Sequence, residues 1–146
     1  MDKYIPEERT HGIVYLILDK ELDKAYIGKK QIHKDVKLGK RELAKIDKID
    51  KRKKYTKRVF TDWEKYCSSN KELKERIENS GELRHHKFDF IVLCECYDET
   101  ALKYAEVEQI IKRDALNSEQ YYNDNIQIRQ IGKIKNYNKR MSIICG

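Results

Sequence analysis

Two apolar runs separated by a charged turn open the patterned part of the chain. Residues 12–18 read Gly-Ile-Val-Tyr-Leu-Ile-Leu and residues 25–32 read Ala-Tyr-Ile-Gly-Lys-Lys-Gln-Ile, with Asp19-Lys20-Glu21-Leu22-Asp23-Lys24 between them. Apolar, β-branched and aromatic residues on either side of a short polar turn predict a β-hairpin. Such a hairpin holds Tyr15 and Tyr26 on adjacent strands. Gly28 lies near them, and its missing side chain allows a substrate backbone to approach. Residues 1–11 read as an irregular lead-in.

The pattern then changes. Residues 34–58 hold few apolar positions and many basic side chains, among them Lys37, Lys40, Arg41, Arg52, Lys53, Lys54, Lys57 and Arg58, against Asp35, Glu42, Asp47 and Asp50. They predict an exposed, partly mobile basic loop with one short helix near residues 41–49. Thr61 with Glu64, and Ser69 with Glu72, fit capping boxes, in which each side chain satisfies a first-turn amide. A short helix from Thr61 and a second over residues 70–79 follow, the second with Leu73 and Ile77 inward and Gly81 as terminator. Residues 88–94, Phe-Asp-Phe-Ile-Val-Leu-Cys, form the clearest strand. Asp98 or Thr100 caps the longest helix, over residues 99–116, with Leu102, Ala105, Ile110 and Ala115 as its apolar stripe. A loop carries Tyr121-Tyr122-Asn123, and residues 125–129 alternate like a last strand. The order strand, strand, helix, helix, strand, helix predicts a layered α/β (α+β) domain: a three-stranded sheet with helices packed on it.

Composition narrows the partner. The chain has 146 residues, enough for one domain with a modest core, and 39% of them are charged. Its net charge of +7 comes from 32 Lys and Arg against 25 Asp and Glu. That balance suits a polyanion, nucleic acid being the commonest, although a solvated lysine-rich surface has the same composition. No apolar run approaches the roughly 18 residues that span a bilayer, and the start has no signal-peptide core, so a cytoplasmic protein without a membrane partner is expected. Cys67, Cys94, Cys96 and Cys145 form no CxxC pair. None of His11, His33, His85 and His86 stands at zinc-finger spacing from them, so buried or idle thiols are expected rather than a zinc site.

Gly12-Ile13-Val14-Tyr15 and Tyr26-Ile27-Gly28 resemble the two signature tripeptides of the GIY-YIG nuclease family, the first stretched by one residue. The stretch Asp62-Trp63-Glu64-Lys65-Tyr66-Cys67-Ser68-Ser69, followed by Leu73, Ile77, Gly81, Phe88 and Leu93, is similar to the phage Seg-like homing endonuclease branch. Cys67 stands where that branch has glycine. With Tyr121-Tyr122-Asn123 the resemblance covers residues 11–129. It divides the chain into a nuclease domain, 1–129, with a basic insertion at 34–58, and a basic tail, 130–146. It implies the GIY-YIG fold and a metal-dependent DNA endonuclease that leaves a 5′-phosphate and a 3′-hydroxyl. A phage origin would place the protein in the host cytoplasm. A repair or restriction nuclease of the same fold, and a nucleic-acid-binding protein without the chemistry, are the alternatives.

Phosphodiester hydrolysis needs a base for water, charge neutralisation on the phosphate and help for the leaving oxygen. The resemblance implies Tyr15 as the general base and Tyr26 as the group that positions the water or the phosphate. A phenol ordinarily ionises near pKa ~10, so Tyr15 needs a neighbouring cation or a metal-linked water. Taken singly, each is also an ordinary strand tyrosine with a buried ring. The resemblance puts the metal ligand on the long helix, where Glu106 and Glu108 compete. Glu106 has Leu102 one turn back and Ile110 one turn on, and a carboxylate on an apolar stripe requires a metal or a cationic partner. A lone carboxylate with water ligands suits Mg²⁺, with Mn²⁺ as the alternative. Asn123 matches the asparagine that closes the family core, and reads equally as a turn residue. For the catalytic arginine Arg58 comes first, with Arg52 and Arg41 as alternatives. Lys29 and Lys30, directly after Gly28, also reach toward the phosphate, and His33 is a lesser candidate for proton transfer. Lys29, Lys30, Arg52, Lys53, Lys54, Arg58 and the tail are expected to grip the DNA backbone, which gives salt-dependent affinity without sequence reading. Tyr55 and Asn138 are candidates for base contacts, and a homodimer would cut both strands.

Overall fold

The computed structural model describes residues 4–62, 65, 68–134 and 139–141. In chain order the elements are β1 (Gly12–Asp19), β2 (Lys24–Gln31), β3 (His33–Lys37), α1 (Lys40–Leu43), β4 (Thr56–Phe60), α2 (Lys71–Ser80), α3 (Arg84–Lys87), β5 (Phe88–Cys96), α4 (Glu99–Lys112) and β6 (Lys139–Met141). The expected hairpin is present: β1 and β2 pair antiparallel from Gly12↔Gln31 to Asp19↔Lys24. β5 pairs antiparallel with the other edge of β1, with a bulge between Val14 and Tyr15. These three strands are the expected sheet, and β6 adds a fourth at its margin, in the order β2-β1-β5-β6.

Alternation along β1 sorts its side chains onto two faces. Val14 and Leu16 join Ala25, Ile27, Leu93, Leu102, Ala105 and Ile110 beneath α4. Tyr15 and Ile17 join Tyr26, Phe88, Tyr122 and the α2 residues Leu73 and Ile77 on the opposite face. Leu73 and Leu102 are fully buried, each worth about 1.5–3 kcal/mol of apolar transfer. Asp98 caps α4 by accepting from the Ala101 amide at 2.7 Å.

Several expectations are corrected. Residues 34–58 are not simply a loop. β3 and β4 pair across the insertion from His33↔Phe60 to Lys37↔Thr56, forming a separate two-stranded sheet, and the helix inside spans only four residues. Lysine-rich strands exposed on both faces lack the alternation that marks a half-buried strand, which is why the pattern missed them. α2 is capped by Asn70, whose Oδ1 accepts from the Leu73 amide at 3.0 Å, and not by Ser69. α4 stops at Lys112 because Asp114 adopts a left-handed conformation (φ 51°). Residues 125–129 form no strand; Ile126 packs irregularly on the α4-side core and the outer edge of β5 pairs with β6 instead. Trp63, Glu64, Tyr66, Cys67, Asn138 and Cys145, and with them the Thr61–Glu64 capping box, lie outside the described residues. Cys94 and Cys96 are buried, as expected. Among the described residues no helix is long and apolar enough to cross a membrane.

Candidate active site

Tyr15 and Gly28 face each other across the β1–β2 ladder, and Tyr26 lies two residues before Gly28 on the same face. The two tyrosine rings converge at a centroid distance of 6.3 Å. A Cβ on Gly28 would lie 2.6 Å from the Tyr15 hydroxyl oxygen and 2.7 Å from the Tyr26 ring. The glycine is therefore required by the tyrosines themselves, where the sequence pattern had suggested only room for a substrate. The Tyr26 hydroxyl is 2.5 Å from the Ser69 hydroxyl, just ahead of α2. Tyr26, Ser69, Asn70, Lys71 and Asn123 line one groove of about 590 Å³.

Asn123 has a specific task. Its Oδ1 accepts from the Ile27 amide at 2.9 Å and its Nδ2 donates to the Ile27 carbonyl at 2.8 Å. The side-chain amide thus stands in for a neighbouring strand on the open edge of β2. Just before it, the Ala25 amide donates to Gln120 and the Ala25 carbonyl accepts from Tyr122. Further on, Thr61 donates its hydroxyl to the Gln31 carbonyl at 2.6 Å. In an antiparallel ladder outward-facing backbone groups recur every second residue, so those of Lys29 belong to the same row as Ala25, Ile27 and Gln31. Among the described residues no hydrogen-bond partner takes them, which leaves an open main-chain position between the Asn123 clamp and Thr61.

The segment that carries Asn123 is anchored by a buried carboxylate that the sequence pattern did not single out. Asp19 is 0% exposed and accepts from Arg76 Nε at 2.6 Å and from the Tyr122 hydroxyl at 2.8 Å. Burial pushes its pKa up, but hydrogen bonds from Arg76, Tyr122 and the Leu22 amide outweigh this and hold it below the ordinary carboxylate range. Tyr122, raised by burial and by its bond to Asp19, stays a neutral donor. Arg76 is raised by the same carboxylate and stays charged.

The remaining candidates divide between the faces of β2. Lys30 lies on the tyrosine face. Lys29 points to the α4 face, where its Nζ meets Glu106 Oε1 at 3.1 Å. Glu106 Oε2 has no partner among the described residues, and the Glu106 side chain is 18% exposed. Glu108 is half-buried as well; the contact with Lys29 belongs to Glu106. Among the described residues no group of three or more His, Cys, Asp and Glu is placed to hold a metal. Arg58 sits elsewhere: its Nη2 donates to the Thr10 carbonyl at 3.1 Å, beside His33, whose Nδ1 is 2.6 Å from the same oxygen. Arg52, Lys53 and Lys54 are exposed on the turn between α1 and β4.

A family model described as "Putative endonuclease segE, GIY-YIG domain" matches residues 4–126. The chain belongs to the SegE-type GIY-YIG endonuclease family. The match runs from the lead-in past Asn123, so it contains both tyrosines, Gly28, the Lys29–Glu106 pair and the whole basic insertion. Neither a curated protein nor a solved structure matches the chain.

Proposed function

We propose that this GIY-YIG domain is a metal-dependent DNA endonuclease that acts at the exposed edge of β2. The observation that carries the reading is the convergence of Tyr15 and Tyr26 over Gly28, one residue before the Lys29–Glu106 pair. Lys29 and Lys30 straddle the strand, so a phosphate at the edge meets cations from both faces. The outward Lys29 amide adds a backbone donor of the kind that stabilises developing negative charge.

In this reading the ionised Tyr15 oxygen takes the proton from the attacking water as the water oxygen bonds to phosphorus and the 3′-oxygen leaves. Tyr26, held through Ser69, orients that water against the phosphorus. Lys29 and Lys30 supply the neutralisation that an arginine was expected to give, while Arg58, fastened to Thr10, serves the insertion. The donor set fits a sparse metal site: one carboxylate oxygen of Glu106 is open, and Mg²⁺ keeps several waters when a single carboxylate holds it, with Mn²⁺ the alternative. When bound, such an ion supplies Lewis-acid charge on a phosphate oxygen.

Incubation of the full chain with supercoiled plasmid tests this. Nicked or linear product is expected with Mg²⁺ and none with chelator. Nicked circles alone would show that one copy cuts one strand, and linear product that both strands are cut, as a homodimer would. Intact plasmid from folded protein that still shifts DNA on a gel would favour a binding protein that has lost the chemistry.

A further inference from the structure

The largest net positive charge on this chain sits on one appendage. Residues 33–60, from the start of β3 to the end of β4, hold 12 Lys and Arg against 4 Asp and Glu, out of 32 against 25 in the whole chain. The rest therefore holds 20 against 21, and its one basic stretch, the tail 130–146, has four Lys and Arg with no Asp or Glu. The β3–β4 ribbon is therefore the chain's largest source of long-range attraction for nucleic acid.

The ribbon is built as an arm. At its base Ile32 is buried with Ile13 and Val92, the Ile32 amide donates to the His11 carbonyl, and the Thr61 amide donates to the Ile32 carbonyl, both at 2.8 Å. Arg58 fastens the same end to Thr10, and the His33 ring lies 4.3 Å from the Phe60 ring. Farther out, Glu42 pairs with Lys57 and accepts from the Gly39 amide at 2.9 Å. Asp50 orders the tip turn by accepting from the Arg52 amide at 2.9 Å. Lys51, Arg52, Lys53 and Lys54 are all exposed there. The register puts Lys34, Val36, Lys57 and Val59 on one face of the ribbon, opposite the face from which Arg58 turns back to the domain.

We propose that this ribbon is a duplex-DNA arm: the strands enter the major groove beside the cleavage position and the 51–54 turn grips the adjoining phosphates. The inference rests on the DNA reading above and specifies how the duplex is held. A two-stranded β-ribbon fits the roughly 12 Å wide major groove of B-DNA. The deep, narrow groove of A-form RNA does not admit it. Because β3 continues from β2 across Ile32 alone, the arm sets the duplex relative to Tyr26 and Lys29.

The test is binding in chelator, which is independent of cleavage. The full chain is titrated with duplex DNA, single-stranded DNA and duplex RNA of one sequence over a range of salt. A variant carrying Lys51→Ala, Arg52→Ala, Lys53→Ala and Lys54→Ala is run beside one in which Asn-Gly replaces residues 38–55. The exposed quadruple change keeps the test decisive where the shortened chain fails to fold. The proposal expects wild type to prefer duplex DNA and the quadruple variant to lose at least tenfold in duplex affinity. Its log–log salt slope should fall by about 0.9 for each lost phosphate contact. Wild-type affinity and slope in the folded quadruple variant would overturn the proposal, as would equal binding of all three nucleic acids by wild type. A protein that binds through the ribbon yet never cleaves with Mg²⁺ would refute the nuclease reading and leave the arm standing.

Discussion

The hydroxyl oxygen of Tyr15 lies 2.6 Å from the point where Gly28 would carry a Cβ. The tripeptide glycine and the two tyrosines are thus one steric unit: the rings occupy the volume the side chain would need. Gly28→Ala is expected to push the rings apart. It should cost about 1–3 kcal/mol of stability from overpacking and, because a shift of about 1 Å at a reacting group costs about 100-fold, nearly all cleavage. Thermal unfolding and nicking rates measured on the same preparation check both effects; wild-type cleavage by the variant would refute this steric account.

Asn123 is expected to act on β2 rather than on substrate. Asn123→Ala removes two hydrogen bonds to the Ile27 backbone, a loss of about 1–3 kcal/mol. Hydrogen exchange at the Ile27 amide should accelerate before the rest of β2. Asn123→Asp keeps the acceptor and loses the donor, so its exchange should fall between. Unchanged protection at Ile27 in the alanine variant would contradict the clamp.

Much of this was legible in the sequence. The hairpin, β5, α2 and α4 announce themselves because each buries one face against the core, so period and polarity agree. The tyrosines, Glu106 and Asn123 could be singled out by motif, but the task of Asn123 depends on a partner 96 positions away and could not. Ser69 reads as a helix cap and in fact meets Tyr26. Asp19 reads as a turn residue and Arg76 as a helix surface residue. Only the fold brings them together, and the one local hint is a carboxylate ending an apolar strand. The ribbon escaped because strands solvated on both faces carry no period.

The Asp19 network predicts an acid-sensitive fold. The folded-state pKa of Asp19 is lowered, so its contribution is full above the unfolded value of about 3.9 and is lost as pH falls through the lower folded value. Urea midpoints measured from pH 6 down to pH 3 should drop, and Asp19→Asn should flatten that dependence. Arg76→Met leaves the buried carboxylate without its cation and should cost about 3 kcal/mol near neutral pH. A midpoint insensitive to acid in wild type would show that Asp19 contributes nothing by ionising.

Lys29→Met separates two roles of the Lys29–Glu106 contact. A partly exposed ion pair contributes about 1 kcal/mol or less to stability, so the melting temperature should barely move. Cleavage should fall by tenfold or more, while binding of DNA in chelator, carried mainly by the ribbon, should fall far less. A large loss of stability with unaltered cleavage would make the pair purely structural.

The most direct measurement is the single-turnover rate of plasmid nicking in Mg²⁺ for wild type, Tyr15→Phe and Glu106→Gln, each shown to be folded by thermal unfolding. The account predicts that wild type nicks and that each variant loses at least 100-fold while melting within a few degrees of wild type. Wild-type rates in both variants would contradict it, because the tyrosine pair and the Glu106 carboxylate would then not be the site of the chemistry.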